Sequence, residues 1–157
     1  MKQRSAGWWA VAVLGLSGAA GCGVQDPAAV EVPTVVEQAR HADVEAALAA
    51  LPGVQVLGED LRQPHAIRGD LGYAAVRLGA DPEEVSRAVA PALTRIAPVF
   101  QLQPDALLFR RASMDGEGHQ HVRYDQRLNG LPVIGGELIV HVNPSGRIYA
   151  ANGSARG

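Results

Sequence analysis

The amino-acid sequence predicts an α+β domain in which one main helix packs across an antiparallel sheet of about four strands. Three observations favour this fold class. Apolar and polar residues alternate through much of residues 119–153, which is typical of strands with one buried face. Two turn sequences divide that stretch, at Asn129-Gly130 and at residues 143–146. Residues 81–100 instead carry apolar side chains at helical spacing.

The bulk composition narrows the class of protein. The chain has 157 residues, enough for one domain of ordinary size, and its formal net charge is −2. Aromatic residues make up only 4%, so the core has to be built mostly from Val, Leu and Ile. No basic stripe with interleaved aromatic residues occurs, and nothing therefore indicates a nucleic-acid partner. The single cysteine excludes an intrachain disulfide.

Residues 1–21 are predicted to be a lipoprotein signal peptide. Two basic residues precede an apolar run over residues 8–16, which is too short to span a bilayer comfortably. The small residues 19–21 then precede Cys22 and resemble a bacterial lipobox, which predicts cleavage before Cys22 and lipidation of its thiol. The chain is thus expected to be exported and lipid-anchored at the cell envelope. The alternative is an ordinary secretory signal with an incidental cysteine, which would leave the protein secreted.

An N-terminal segment over residues 34–80 should follow a flexible tether at residues 22–33. Its first part is an Ala-rich helix over residues 35–51, which Pro52-Gly53 should stop. A short strand is predicted after it, at residues 54–57.

The main helix begins the domain predicted over residues 81–157. Asp81 can cap its free N–H groups, Pro82 suits its first position, and Glu84 lies where a capping box requires an acid. Pro91 is expected to kink the helix and Pro98 to mark its approximate end. The apolar stripe that should face the sheet comprises Val85, Ala88, Val89, Ala92, Leu93, Ile96 and Phe100.

The predicted sheet consists of a strand over residues 106–113, a loop at residues 115–118 and a three-stranded meander. A type I′ turn at Asn129-Gly130 should join the first two strands of the meander. Its buried face is expected to comprise Val122, Tyr124, Gln126, Leu128, Leu138, Val140, Val142, Ile148 and Ala150.

The order of residues from His121 to Gly153 resembles the fungalysin/thermolysin propeptide domain, the first half of the pro-region of thermolysin-like secreted zinc metallopeptidases. The resemblance implies a cystatin-like arrangement, and it implies that the chain is extended upstream of the motif, around Pro64, Ile67, Gly69 and Leu71. It also implies a non-catalytic domain that assists folding of a thermolysin-like catalytic domain, in cis or in trans, and inhibits it until cleavage. The motif and turn positions are His121, Arg123, Tyr124, Gln126, Asn129, Gly130, Pro132, Val133, Gly135, Gly136, Glu137, His141, Gly146 and Gly153.

Two other interpretations remain open. The chain could be a free-standing lipoprotein that binds a peptidase in trans or another ligand. It could also be the truncated product of a full zinc metallopeptidase precursor.

No catalytic residue, cofactor or metal is predicted. The chain contains no His-Glu-x-x-His, the motif that binds zinc in thermolysin-like catalytic domains. His119 and His121, two apart on a strand, could bind a metal with Asp115 and Glu117, but the favoured interpretation is ordinary strand residues beside an acidic loop. His141 is expected to be a surface or sheet-packing residue.

Polar residues of the motif are expected to fix the fold. Gln126, on the mostly apolar face of its strand, either satisfies a buried backbone group or marks an interface. Gly135-Gly136 is interpreted as a β-bulge. The main polar contributors should be Arg123, Tyr124, Gln126 and Glu137.

Overall fold

A computed structural model of the chain describes residues 34–58, 64–77 and 79–157. The signal peptide predicted at residues 1–21, the lipidation site at Cys22 and the tether predicted up to residue 33 lie outside these residues. In the part of the chain that is described, no helix has the length and apolar character needed to cross a membrane.

The part of the chain that the structure describes forms one sheet of six strands, so the predicted α+β class is confirmed and the predicted number of about four strands is wrong. The order across the sheet is β1-β2-β6-β5-β4-β3, and all neighbouring strands are antiparallel. The additional strands come from the segment before the main helix, because β2 pairs with β6. The strands are β1 (Gln55–Leu57), β2 (Ala66–Tyr73), β3 (Leu107–Met114), β4 (Gln120–Leu128), β5 (Leu131–Val142) and β6 (Arg147–Gly153).

Within the described ranges, two α-helices accompany the sheet, α1 (Val35–Ala49) and α2 (Pro82–Ile96). A capping box starts α1, since the Thr34 hydroxyl accepts from the Glu37 N–H and the Glu37 carboxylate accepts from the Thr34 N–H. The helix ends two residues before its predicted end. The domain boundary predicted at residue 80 stays a prediction, as does the cystatin-like comparison.

The start of α2 follows the sequence prediction. The Asp81 carboxylate accepts from the Glu84 N–H at 2.8 Å, and Pro82 is the first helical residue. The helix runs through Pro91 and ends at Ile96, where a 3₁₀ turn over Ala97–Phe100 continues the chain. Within the predicted stripe all residues except the partly buried Ala88 are buried.

The core lies between α2 and one face of the sheet. Each of its large aliphatic side chains contributes roughly 1.5–3 kcal/mol if fully buried. The sheet residues buried there include Ile67, Leu71, Val122, Tyr124, Leu138, Val140, Val142, Ile148 and Ala151.

The predicted type I′ hairpin is present between β4 and β5. Asn129 and Gly130 both have positive φ, at 51° and 79°, and Leu128 pairs with Leu131 across the turn. The predicted burial of Leu128 is wrong, because its side chain is 64% exposed. Leu128 lies next to the turn, and its side chain does not belong to the core.

The buried face of β6 changes phase within the strand. Ile148 is buried as predicted, but the next buried residue is Ala151, and the prediction of Ala150 is wrong. The register shifts here, because His141 pairs with Ala150 whereas its neighbour Val142 pairs with Ile148. The shift leaves Tyr149 as an additional residue on β6, and such a bulge moves the following side chains to the opposite face.

The predicted reversal between β5 and β6 is also present. Asn143 accepts a backbone hydrogen bond from Gly146 at 2.9 Å, and its side-chain Oδ1 accepts from the N–H groups of Ser145 and Arg147.

Candidate functional site

The candidate site is the face of β4, β5 and β6 that points away from the core, which we call the outer face. Its side chains alternate with the buried positions of the same strands, and most of them are partly exposed and polar. The outer face comprises His121, Arg123, Asp125, Glu137, Ile139, His141 and Asn152, with Tyr149 at the bulge of β6.

A chain of hydrogen bonds crosses the outer face through two histidines. His121 and His141 are directly paired between β4 and β5, and their Nδ1 atoms lie 2.8 Å apart. His121 Nε2 lies 3.1 Å from the Asp115 carboxylate, and His141 Nε2 lies 2.5 Å from Asn152 Oδ1. We call these four residues, Asp115, His121, His141 and Asn152, the histidine chain.

His119 lies beside the histidine chain and contacts a different partner. Its Nδ1 lies 3.1 Å from the Tyr149 hydroxyl, and the two rings meet edge to face with centroids 5.4 Å apart. Tyr149 also contacts the His141 ring at 5.9 Å between centroids. Although His119 and His121 are two apart as the sequence indicates, the contacts divide them between two separate partners.

The environment shifts two pKa values within the histidine chain. Burial lowers the pKa of His141 below its usual value; the charges of His121, Arg123 and His119 lower it further, against the opposing effect of the Asn152 hydrogen bond. The pKa of Asp115 is lowered chiefly by the hydrogen bond it accepts from the His119 N–H. The surroundings thus favour the ionised form of Asp115 and the neutral form of His141.

The described residues contain no group of three or more His, Cys, Asp or Glu side chains placed to hold a metal ion. Asp115, which sequence reasoning considered as a metal ligand, accepts from the N–H groups of Glu117 and His119 at 2.9 Å each and contacts His121. The geometry therefore supports proton exchange and hydrogen bonding at this site.

An ionic cluster occupies the other part of the outer face. Arg123 donates to the Glu137 carboxylate at 2.7 Å, and this pair is partly buried. Arg110 on β3 lies 3.4 Å from Asp125 and 3.6 Å from Glu137. The sequence-predicted polar contributors Arg123 and Glu137 thus contact each other directly.

Gln126 is buried, with 5% exposure, and satisfies backbone groups near the end of the described chain. Its side-chain amide donates to the Arg156 carbonyl, and its oxygen accepts from the Arg156 N–H at 3.0 Å. The first of the two roles foreseen for Gln126 is therefore the observed one.

Tyr124 links β4 to α2 from within the core. Its hydroxyl lies 3.5 Å from Ser86 Oγ, and its ring meets Phe109 edge to face at 6.2 Å. Burial raises the pKa of its phenol above the usual value.

Comparison with known proteins shows which family model this region matches. Residues 105–155 match the family model described as Fungalysin/Thermolysin Propeptide Motif. The stretch is a fungalysin/thermolysin propeptide motif. It covers all of β3 to β6, and so includes the histidine chain, the ionic cluster and Gln126.

Curated relatives named Bacillolysin are similar to the chain. The relative from Bacillus subtilis (strain 168) is 30% identical over 106 residues, which cover 66% of this chain and 20% of the relative. The relative from Bacillus amyloliquefaciens is 33% identical over 73 residues, which cover 46% of this chain and 14% of the relative. The chain spans about a fifth of the length of the first relatives it matches. No solved structure matches the chain.

The glycines of the propeptide motif lie at turns and close approaches. Gly153 lies against β5, where a Cβ atom would meet the Glu137 carbonyl oxygen at 1.9 Å. Gly146 closes the turn between β5 and β6. Gly135 and Gly136 lie in the irregular stretch of β5 between Pro132 and Glu137, which Asp125 and Arg127 flank on β4; the bulge is confirmed.

The β4–β5 end of the propeptide motif carries exposed aliphatic side chains that sequence reasoning did not single out. Leu128 and Leu131 flank the turn, with 64% and 70% exposure, and Ile134 is fully exposed. We call residues 128–134 the hairpin tip. Pro132 and Val133 belong to it, the former exposed and the latter partly buried. In the sequence, this surface was indicated by the density of apolar residues around a turn, where polar residues are usual.

Asn152 and Tyr149 were also missed as outer-face residues. The bulge in β6 decides which side chains of this strand join the outer face, and strict alternation from Ile148 points to the wrong ones.

Proposed function

We propose that the domain is a non-catalytic propeptide-type module that assists the folding of a thermolysin-like metallopeptidase catalytic domain and inhibits it until cleavage. The observation that carries this proposal is the propeptide motif over residues 105–155. The bacillolysin relatives support the choice of partner, since similarity to them extends over 106 residues.

Mass action gives such a module its switch-like behaviour. A module joined covalently to the peptidase binds at a high effective concentration, and cleavage of the connection removes that advantage. One small module presents a limited surface, so binding in trans should be weak and inhibition incomplete.

The hairpin tip is the part of the surface best suited to dock the peptidase. Its exposed Leu128, Leu131 and Ile134 lie within one short ribbon, and clustered exposed aliphatic residues are typical of interaction sites. The turn that carries them has a defined backbone conformation, which lowers the entropy lost on binding. We therefore assign the main apolar contact to the tip.

The test uses the catalytic domain of the Bacillus subtilis bacillolysin as probe. Its refolding yield and residual activity are measured with and without added residues 23–157, and binding is measured by calorimetry. We expect a higher yield, partial inhibition and a weak complex, and covalent fusion should strengthen all three effects. No change in yield or activity at high excess, together with undetectable binding, would contradict the proposal.

Variants separate the docking contact from the function. Leu131→Ser combined with Ile134→Ser should weaken binding at least tenfold without unfolding the domain, because both side chains are exposed. Leu57→Ser, at an exposed leucine on the edge strand β1, is the matched control and should leave binding unchanged. Equal effects of the two variants would remove the tip from the proposal.

The proposal also states that the chain has no peptidase activity of its own. Purified residues 23–157 should not hydrolyse casein, with or without added zinc. Hydrolysis that a chelator abolishes would overturn this part of the proposal.

A further inference from the structure

We propose that His121 and His141 form a pH-sensitive switch on the outer face. The pair accepts one proton without losing a hydrogen bond, and a second proton breaks the hydrogen bond between the two rings. The inference concerns this domain alone and does not depend on its partner.

The contact between the rings fixes how many hydrogens lie between them. The two Nδ1 atoms are 2.8 Å apart, a hydrogen-bond distance, and one of them has to donate while the other accepts. If neither nitrogen carries a hydrogen, two lone pairs face each other. If both do, two N–H groups point at one another at a distance that their hydrogens do not allow.

The contact with Asp115 fixes the position of a second hydrogen, on His121. His121 Nε2 lies 3.1 Å from Asp115 Oδ2, and an ionised carboxylate only accepts. His121 Nε2 therefore donates in every arrangement that keeps this contact. Two backbone N–H groups on Oδ1 hold Asp115 in place and favour its charged form.

Two arrangements then satisfy the whole histidine chain. In the first, His121 is an imidazolium that donates to Asp115 and to His141 Nδ1, while neutral His141 donates from Nε2 to Asn152 Oδ1. In the second, both rings are neutral, His141 donates to His121, and the Asn152 amide is turned over to donate to His141 Nε2. The first has the amide orientation of the structure, and the second differs from it by an amide flip and proton positions alone.

The hydrogen bonds of the histidine chain cannot accommodate a second proton. It puts a hydrogen on both Nδ1 atoms and two positive charges on directly paired residues. The surroundings also disfavour it, since Arg123 on β4 and His119 just before β4 add positive charge, and His141 is partly buried. The rings must then separate.

The charged and titratable groups facing the pair are few. The loop before β4 supplies Asp115 and His119, β4 supplies Arg123, and β6 supplies the neutral Tyr149 phenol beside His141. On β3 the residue paired with His121 is the uncharged Ser113. On β5 the nearby Glu137 carboxylate is bound by Arg123. Asp115 is thus the carboxylate that contacts the pair, and it compensates one positive charge.

The test is nuclear magnetic resonance on the full chain labelled with ¹⁵N. A scalar coupling between the two Nδ1 nuclei reports the hydrogen bond that joins the rings, and ring ¹⁵N shifts report each protonation. We expect to observe this scalar coupling at pH 8 and also after the pair has taken up its first proton. Uptake of the second proton should occur below the usual imidazole value of about 6.5 and abolish the coupling. Independent titration of both rings near 6.5, with no coupling at any pH, would overturn the proposal.

One variant tests whether Asp115 stabilises the first proton, and a second variant is its control. In Asp115→Asn, uptake of the first proton should require at least three times the proton concentration that the wild type requires, because the compensating negative charge is removed. The coupling at pH 8 should remain. His41→Gln, on α1 and paired with Glu45, is the control and should change neither quantity. An unchanged first uptake in Asp115→Asn would contradict the assigned arrangement.

Discussion

Asp125 and Glu137 lie directly opposite each other on β4 and β5, so two carboxylates occupy one cross-strand pair. Like charges at such positions repel, and the structure offsets this with two arginines. Arg110 approaches both carboxylates from β3, whereas Arg123 binds Glu137 alone. The ionic cluster thus joins three strands through side chains as well as backbone.

We expect the two arginines to contribute unequally to stability. Arg123→Ala should lower the free energy of unfolding by about 1.5–3 kcal/mol, because it removes a short, partly buried charged hydrogen bond. Arg110→Ala should cost less than about 1 kcal/mol, since Arg110 is half exposed and its contacts are long. Urea unfolding measures both values. A larger loss for Arg110→Ala would contradict the assigned order.

Gln126 ties the end of the described chain to β4. Gln126→Leu should destabilise the domain by about 1–3 kcal/mol, because the N–H and carbonyl of Arg156 lose their side-chain partner. Gln103→Leu is the control at an exposed position and should stay within about 0.5 kcal/mol of the wild type. Both are measured by urea unfolding, and similar midpoints for the two variants would remove this role from Gln126.

The β4–β5 turn depends on positive φ at Gly130. Gly130→Val should destabilise by about 1–2 kcal/mol or more, since a β-branched residue tolerates the left-handed region poorly. Gly116→Val, in a loop with open space around its Cα, is the matched control. Thermal unfolding compares them, and an unchanged midpoint for Gly130→Val would indicate that the turn accepts another conformation.

Stability should fall as the pH decreases from neutrality. The folded pKa of His141 is depressed, so between it and the ordinary value of 6.5 the unfolded chain binds more protons than the folded chain. Stability is therefore lost as the pH falls through that window. The depressed pKa of Asp115 contributes stability above the unfolded value of 3.8, and this is lost as the pH falls through its folded pKa.

The measurement is urea unfolding across pH 8 to pH 3. His141→Gln should flatten the pH dependence immediately below 6.5. A pH dependence in that window that is the same in His141→Gln as in the wild type would contradict this assignment.

Cys22 is predicted to carry a lipid, on the basis of the small residues before the one cysteine. Intact-mass spectrometry of protein from the membrane fraction should show cleavage before Cys22 and a diacylglycerol on its thiol. Cys22→Ser should release the protein from that fraction. An unmodified thiol, or cleavage elsewhere, would refute the prediction.

The sequence by itself determined the features whose causes are local. The start of α2 follows from Asp81 and Pro82, because capping involves residues within one helical turn. The β4–β5 turn follows from Asn129-Gly130, since few residue pairs accept positive φ twice. The alternation on β4 and β5 likewise predicted most of their buried positions, because the side-chain period of a strand is a backbone property.

Tertiary structure decided the contacts between distant segments. Ile67 pairs with Ala151, which makes six strands, and nothing near either residue specifies the other. The bulge in β6 changed the phase that local alternation predicts. His121 and His141 became a proton-sharing pair only when β4 and β5 took their register, because side-chain chemistry at 2.8 Å depends on a spatial neighbour that sequence spacing does not define.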